Sequence, residues 1–298
     1  MASYTYYSHL SFKTRLLNTF RRIFTNKALE QILLAFTMGK KTASFWGKLI
    51  PPEYLYPAGT LRAVVRNGIK FELDLSMVVD HFLYFGTKDS SLTDLFTVIK
   101  KDFVIIDVGA NIGLMALQFA RAASSGKVIA FEPDPDNLTK LRKNISLNTL
   151  VNLTVVPCGL GAFSETVKLY MVDSTNPGMN RVLKNANEKF PFHEINIVKL
   201  DDEIFERNIA RVDLIKIDVE GYEMNVLKGA LRTIQQFKPL LFIEVDDQYL
   251  KEQQSSALEL VQYIKSFGYA IYKSGNNKPV NETDDLIGCH FDVFCRPV

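Results

Sequence analysis

"FVIIDVGANIG", residues 103 to 113, is an apolar run that ends in an acid and then turns through two glycines spaced around an asparagine. A short apolar run bounded by turn residues reads as a buried strand. The glycine turn leads straight into a helical pattern over 113–123. The same alternation continues downstream. Strand-like runs fall at 127–132, 151–157, 212–218 and 239–245, with helices near 135–147, 222–235 and 254–267. Such a rhythm predicts parallel strands joined by crossover helices that cover both faces of one sheet, an α/β fold. Near the end "GYAIYKS" and "CHFDVFCRPV" alternate and lie close together, which predicts an antiparallel hairpin on the sheet edge.

Composition bounds the rest. The 298 residues are 47% hydrophobic and 23% charged, as in an ordinary globular protein. A net charge of +2 gives no argument for nucleic acid. The charge is unevenly spread: residues 1–50 hold eight lysines and arginines against one acid. Cys158, Cys289 and Cys295 lack metal-ligand spacing and are too few for a disulfide framework, which favours a reducing compartment. The opening "MASYTYYSHLSFKTRLLNTF" lacks the pattern of a secretory signal, and no run approaches the roughly 18 apolar residues of a spanning helix. The expectation is a soluble, cytoplasmic protein.

Three parts are expected: a basic helical extension over 1–50, a cover with a β-hairpin over 51–101, and the α/β domain over 102–298. In "LSFKTRLLNTFRRIF" (10–24) the apolar residues Leu10, Leu16, Leu17, Phe20 and Phe24 gather near one helical face, with Lys13, Arg15, Arg21 and Arg22 as a basic remainder. A second helical run follows at 28–38. The pair suits weak, peripheral contact with an anionic membrane surface; packing on the body with solvated arginines is the plainer reading and is preferred. "LRAVVRNGIKFELDL" alternates around Asn67-Gly68, a strong hairpin signal.

In open α/β sheets ligands sit beyond the carboxyl ends of the strands, where the strand order reverses. Gly109 and Gly113 let backbone pass close to a ligand there. "GANIG" is not the G-x-G-x-x-G of a dinucleotide fold, since Asn111 stands where a bare backbone would meet a pyrophosphate. Asp107, beside the turn, instead suits a ligand with a cationic amino-acid tail. Glu132, 19 residues after Gly113 at the tip of "KVIAFEPDPDNL", can accept hydrogen bonds from both hydroxyls of a ribose. Pro133 and Pro135 fix the exit, with Asp134 a helix cap. Cys158-Gly159 ends the next strand, beside the adenine edge. In order and at this spacing these residues favour a bound adenosine.

"DVGANIG", "FEPDPDN", "VVPCGLG", "KLDDEI" and "LIKIDVEGYEMNVLKGA" together resemble the FkbM-type S-adenosylmethionine-dependent methyltransferases. The likeness covers roughly 103–245. It implies a Rossmann-like class I methyltransferase fold, a mostly parallel seven-stranded sheet with a C-terminal antiparallel strand. It also implies methyl transfer, usually to oxygen, with cofactor contacts at Asp107, Gly109, Ala110, Asn111, Gly113 and Glu132. Tyr222 departs from the pattern, which more often has alanine after "DVEG", and bears on the acceptor side.

Around the fourth strand, Lys216 and Asp218 share a face by the period of two. Asp218 and Glu220 reach the strand's carboxyl end, and Glu244 reaches the same edge from "PLLFIEVDD". Asp218 is assigned to both the cofactor site and catalysis. An alcohol acceptor must lose a proton, so Asp218, Glu220 or Glu244 serves as general base, or the acids hold a divalent cation. No metal ligands are assigned, because no histidine joins the cluster. Acids at a helix start are also favoured by the dipole alone, by about 0.3–1 kcal/mol, and this is the plainer account of Glu220 and Glu223. His81 is expected in the core. The polar insertion 173–194, which holds His193, is expected to be either a closing loop, with Asn180 and Arg181 as acceptor contacts, or a plain surface loop.

The main expectation is O-methylation of a hydroxyl on a small molecule, sugar or glycan, with no nucleic-acid partner. An NAD-dependent oxidoreductase and a non-catalytic nucleoside-binding module of the same fold are the alternatives.

Overall fold

A computed structural model describes residues 10–37, 44–86, 93–183 and 190–298. Residue 38 of the second expected helix and residues 184–189 of the insertion lie outside them. The chain separates into two compact units, Met1–Asp89 with Asp173–Gly178, and Ser90–Val172 with Met179–Val298. The basic extension and the hairpin segment thus share one unit, which also takes in 173–178.

In the first unit, helices α1 (Phe12–Arg21) and α2 (Lys27–Thr37) precede the hairpin of β1 (Leu61–Arg66) and β2 (Ile69–Asp74), followed by α3 (Val78–Phe85). The hairpin forms as the sequence predicts. Asn67 and Gly68 take φ of 48° and 74°, and Arg66 pairs with Ile69 across the turn. Glu30 is wholly buried on α2 and accepts from Arg62 Nε (2.8 Å) and Nη2 (3.1 Å) and from the Tyr84 hydroxyl (2.6 Å). One carboxylate thereby ties helix, hairpin and α3 together. His81 lies in the core as expected. Its Nε2 donates to the Pro51 carbonyl (2.7 Å), and burial lowers its pKa.

Helix α1 reverses the expected orientation. Its buried residue is the polar Asn18, which donates to the Tyr54 hydroxyl (2.9 Å). Arg21 reaches the Lys48 carbonyl (2.8 Å) and Asn18 Oδ1 (3.1 Å). Phe12, Leu16 and Phe20 face outward, exposed by 81%, 52% and 57%.

The second unit contains α4 (Thr93–Val98), β3 (Val104–Val108), α5 (Leu114–Ala122), β4 (Lys127–Phe131), α6 (Pro135–Ser146) and β5 (Leu153–Val156). Next come β6 (Gly159–Leu160), β7 (Glu165–Tyr170), β8 (Arg181–Val182), β9 (Phe192–Val198), α7 (Leu200–Glu206), β10 (Leu214–Ile217), α8 (Glu223–Gly229) and α9 (Leu231–Phe237). The chain ends with β11 (Leu240–Asp246), α10 (Asp247–Glu252), α11 (Ala257–Ser266), β12 (Tyr269–Lys273), β13 (Lys278–Pro279) and β14 (His290–Pro297). Among the described residues the main sheet has eight strands, in the order β13-β12-β14-β11-β10-β3-β4-β5. Strands β11, β10, β3, β4 and β5 run parallel, and β14 is antiparallel to both its neighbours. The two-residue β13 makes this one strand more than expected. The C-terminal hairpin is not simply an edge addition either, because β14 inserts between β11 and β12.

Both faces of the sheet are covered. Ile106, Val108, Ile215 and Ile217 pack with Val226, Leu227 and Ile234 on one side and with Leu260 and Ile264 of α11. Their alternates Ile105, Val128, Leu214 and Phe242 pack with Met115 and Phe119 of α5. Burial on both faces is why these strands read as continuous apolar runs.

The sequence predicts one helix over 222–235, but it breaks at Ala230. Asp201 takes the amides of Arg232 (2.9 Å) and Thr233 (2.8 Å) and the Thr233 hydroxyl (2.7 Å), so it starts a new helix there. Part of the expected loop 173–194 is strand: β8 and β9 join β6 and β7 in a second sheet of order β6-β9-β7-β8 among the described residues.

Candidate active site

Strand β3 lies between β4 and β10, so the order reverses beside it and the carboxyl ends of β4, β3, β10 and β11 form one edge. The turn after β3 is pinned from several sides. The amides of Gly109 and Ala110 donate to the Phe131 carbonyl (3.0 and 3.1 Å), and Asn144 Nδ2 donates to the Ile112 carbonyl (3.0 Å). Gly109 has φ of 79°, and a Cβ built on it would stand 1.9 Å from the Asp218 carbonyl oxygen. Only glycine lets the turn lie this close to the end of β10. Asn111, at φ 50°, stabilises its own left-handed backbone by accepting from the Ile112 amide (2.7 Å). Gly113, at φ 93°, is the N-cap of α5, and a Cβ there would meet Leu141 at 2.5 Å.

Glu132 is buried at the tip of β4, and each oxygen accepts one backbone amide, Asn111 (2.7 Å) and Asp134 (2.9 Å). Burial pushes its pKa up to about 7 against those bonds. Pro133 lies beside Gly159, since a Cβ on that glycine would be 3.6 Å from Pro133 Cγ. Cys158 is buried next to it, its thiol pushed up to about 11 by burial. Asp134 caps α6 through the amides of Asp136 (2.8 Å) and Asn137 (3.2 Å), as expected.

Lys216 is the hub of the edge. Its side chain is 5% exposed, and its ammonium donates to the Gly109 carbonyl (2.9 Å) while facing Asp218 Oδ2 (3.2 Å) and Asp107 Oδ1 (3.4 Å). Burial alone would lower its pKa, but Asp218 and Asp107 raise it well above the usual lysine value. Asp107 is fully buried. Despite the ion pair, neither of its oxygens accepts an aligned hydrogen bond among the described residues. Burial pushes it up to about 6, with Lys216 opposing.

Asp218, Glu220 and Glu244 come together at the edge: one carboxylate oxygen from each lies within 4.8 Å of the others. Glu220 holds φ of 53°, uncommon for a residue with a side chain, and is followed by Gly221 at 99°. Burial first, then Asp218 and Glu223, push Glu220 up to about 8. Glu244 is raised further by burial and the same neighbours, and its Oε2 is buried without a partner. Glu223 has a structural role. Its Oε1 takes the amides of Val219 (3.2 Å) and Gly221 (3.0 Å) and so holds the β10–α8 loop.

The expectation that no histidine joins the acids does not hold. Strand β14 runs against β11 and pairs His290 with Asp246 and Asp292 with Glu244. His290 lies 2.8 Å from Asp246 Oδ2 and 3.4 Å from Glu244 Oε1. A hard cation fits the three converging carboxylates, and Asp134, Asp136 and His193 form a second such group. Asn180 donates to Asp134 (2.7 Å), and Arg181 pairs with Glu252 (2.9 Å) over the Tyr249 ring. His193 sits in β9, 3.6 Å from Asp136. Asn180 and His193 of the insertion face acids at the start of α6, while the Arg181 charge acts on Glu220 and so reaches the acidic edge. Tyr222 lies against Gly161, where a Cβ would be 2.9 Å from its ring. A depression of about 650 Å³ between Met224, Asn225 and Tyr263 contains none of the predicted site residues.

The strand order, with its inserted antiparallel strand and a glycine turn between two acidic strand tips, is that of the Rossmann-like class I methyltransferase fold. Residues 107–271, more than half of the chain, match the methyltransferase FkbM domain. The chain belongs to the FkbM methyltransferase family. It is 31% identical over 150 residues to Methyltransferase 1 of Beauveria bassiana, covering 43% of this chain and 58% of that protein. It is 28% identical over 184 residues to methyltransferase sdnD of Sordaria araneosa, covering 52% and 70%. With the 2-O-methyltransferase NoeI of Sinorhizobium fredii it shares 24% over 181 residues, covering 56% and 73%. The chain thus spans less than two thirds of Methyltransferase 1.

Proposed function

We propose that this chain transfers the methyl group of S-adenosylmethionine to a hydroxyl oxygen of a small molecule, sugar or glycan. The observation that carries the reading is the meeting, at one sheet edge, of the glycine turn with Asp107 and Glu132 and of the acids Asp218, Glu220 and Glu244. The residues fit the cofactor. Asp107 is fully buried with Oδ1 facing Lys216 and Oδ2 without a partner among the described residues, and that second oxygen suits an ammonium group. Glu132 accepts the Asn111 and Asp134 amides, one on each oxygen, and a side-chain bond from Asn137, and a carboxylate with about four acceptor sites keeps one for a ribose hydroxyl. Gly109, Ala110, Asn111 and Gly113 supply the turn, and Pro133, Cys158 and Gly159 the neighbouring wall. A relative named as a 2-O-methyltransferase supports oxygen as the acceptor atom.

When bound, the cofactor supplies a methyl group already activated on a charged sulfur, so the protein's work is alignment and proton removal. Alignment alone is worth up to about 7–11 kcal/mol of a barrier. Glu220 is the base best matched to neutral solution, since a group near pH 7–8 balances ionised fraction against basicity. Asp218, held by Lys216, orients the acceptor hydroxyl. Glu244 retains its proton and donates a hydrogen bond. The test is methyl transfer from labelled cofactor, with binding followed by calorimetry. Glu220→Gln should abolish turnover while leaving cofactor affinity within about twofold, because it removes no oxygen assigned to the cofactor, whereas Asp218→Asn should abolish turnover and weaken cofactor binding as well. Retained turnover in both variants, or saturable binding of NAD instead, would overturn the proposal.

A further inference from the structure

We propose that helix α1 is an in-plane anchor for an anionic lipid bilayer, independent of the methyl-transfer reading. The sequence favours the apolar face packing on the body, and the structure gives the opposite answer. A surface helix ordinarily buries its apolar stripe and shows its polar side. Here Asn18 is the buried residue and Arg21 is tied to the Lys48 carbonyl, so the polar side packs. Phe12, Leu16, Phe20 and, in the following turn, Ile23 recur at i, i+4, i+8 and i+11, all on one outward face. Each is more than half exposed.

The charges complete the pattern. Residues 10–29 contain Lys13, Arg15, Arg21, Arg22 and Lys27 and no acid. At 100° per residue, Lys13 flanks the apolar stripe on one side and Arg15 and Arg22 flank it on the other. An apolar wedge bordered by cations is the geometry of a helix lying in the plane of a membrane surface, with its rings among the acyl chains and its cations at the phosphates. A second copy of this chain fits the same face poorly. Pairing two α1 helices would set like charges against each other with no acid on either helix to offset them. No helix among the described residues is long and apolar enough to cross a membrane, so the contact is peripheral.

The test is sedimentation of the full chain with phosphatidylcholine vesicles, with and without phosphatidylserine. Binding is expected to the anionic vesicles, to weaken in high salt, and to weaken about fivefold for each of Lys13 and Arg22 changed to Glu, counting only the lost cation. The Phe12→Ser, Leu16→Ser, Phe20→Ser triple variant should lose at least about tenfold. Trp46, the single tryptophan, stacks on Phe36 in the same unit and provides an independent fluorescence signal. Circular dichroism checks the fold of the triple variant, and if it unfolds, the Lys13→Glu, Arg22→Glu variant decides. The proposal is overturned by any of three results: no pelleting with anionic vesicles, equal and salt-insensitive pelleting with neutral ones, or a self-dimer in sedimentation velocity that the serine variant abolishes.

Discussion

Replacing Lys216 by methionine removes the positive charge from the centre of the sheet edge while keeping the length of the side chain. At an effective dielectric of about 20, a contact at 3.2–3.4 Å is worth about 5 kcal/mol before desolvation. Desolvation of the ammonium cancels much of this, and breaking a buried pair costs a net of about 3–5 kcal/mol. The cost should depend on pH. In the native protein Asp107 is pushed up to about 6, above its unfolded value, so the folded state holds this proton more tightly. Stability from this group therefore falls as pH rises from about 4 through 6. Without Lys216 the ionised Asp107 has no cation beside it, and its pKa climbs further. The variant's deficit should then be smallest near pH 5, where Asp107 carries a proton in both proteins, and larger by at least about 1.4 kcal/mol at pH 8. Urea unfolding of both proteins at the two pH values measures it. Adding Asp107→Asn to the variant should recover much of the loss at pH 8, as a coupled pair requires. A deficit below about 1 kcal/mol, or one equal at both pH values, would refute the argument.

Gly109→Ala should be among the most damaging small substitutions. A positive φ costs a side chain about 1–2 kcal/mol, and the overlap with the Asp218 carbonyl has no rotamer to relieve it. A total above about 4 kcal/mol in denaturant, or failure to fold, is expected. Glu132→Gln keeps the shape but removes a charged acceptor, so cofactor affinity by calorimetry should drop about 10- to 150-fold, the worth of a charge-assisted bond. The turnover rate should rise with pH through about 8 as Glu220 loses its proton, and a profile flat from pH 6 to 9 would remove Glu220 as base. A chelator should leave turnover unchanged, since Lys216 already places a positive charge at Asp218; loss restored by magnesium would instead assign Asp218, Glu220 and Glu244 to a cation.

What the sequence reveals follows from how local each signal is. The strand tips, the glycine turn and the Asn67-Gly68 hairpin are written in neighbouring residues, and they appear where the sequence puts them. Long-range placement is not written that way. The antiparallel register that brings His290 to Glu244 depends on where β14 inserts, and no spacing along the chain encodes it. The break at Ala230 comes from Asp201, some 30 residues upstream, whose carboxylate offers a cap that helical periodicity cannot show. Strands β7 and β9 escape notice because most of their outward residues are polar and they pair within a small separate sheet with β6 and β8. Helix α1 misleads for another reason. An amphipathic pattern fixes two faces but not which one meets the protein, and here Asn18 with Tyr54 decides it.

The insertion of β14 between β11 and β12 has a consequence for how the molecule comes into being. Since residues 290–297 emerge from the ribosome after every other strand among the described residues, β12 has no place beside β11 until that later segment arrives to separate and join them. His290 enters in the same event, so the acidic edge gains its imidazole only when the sheet closes. A nascent chain stalled before this point would hold the glycine turn but not a finished acidic rim, and would present two unpaired strand borders to its surroundings.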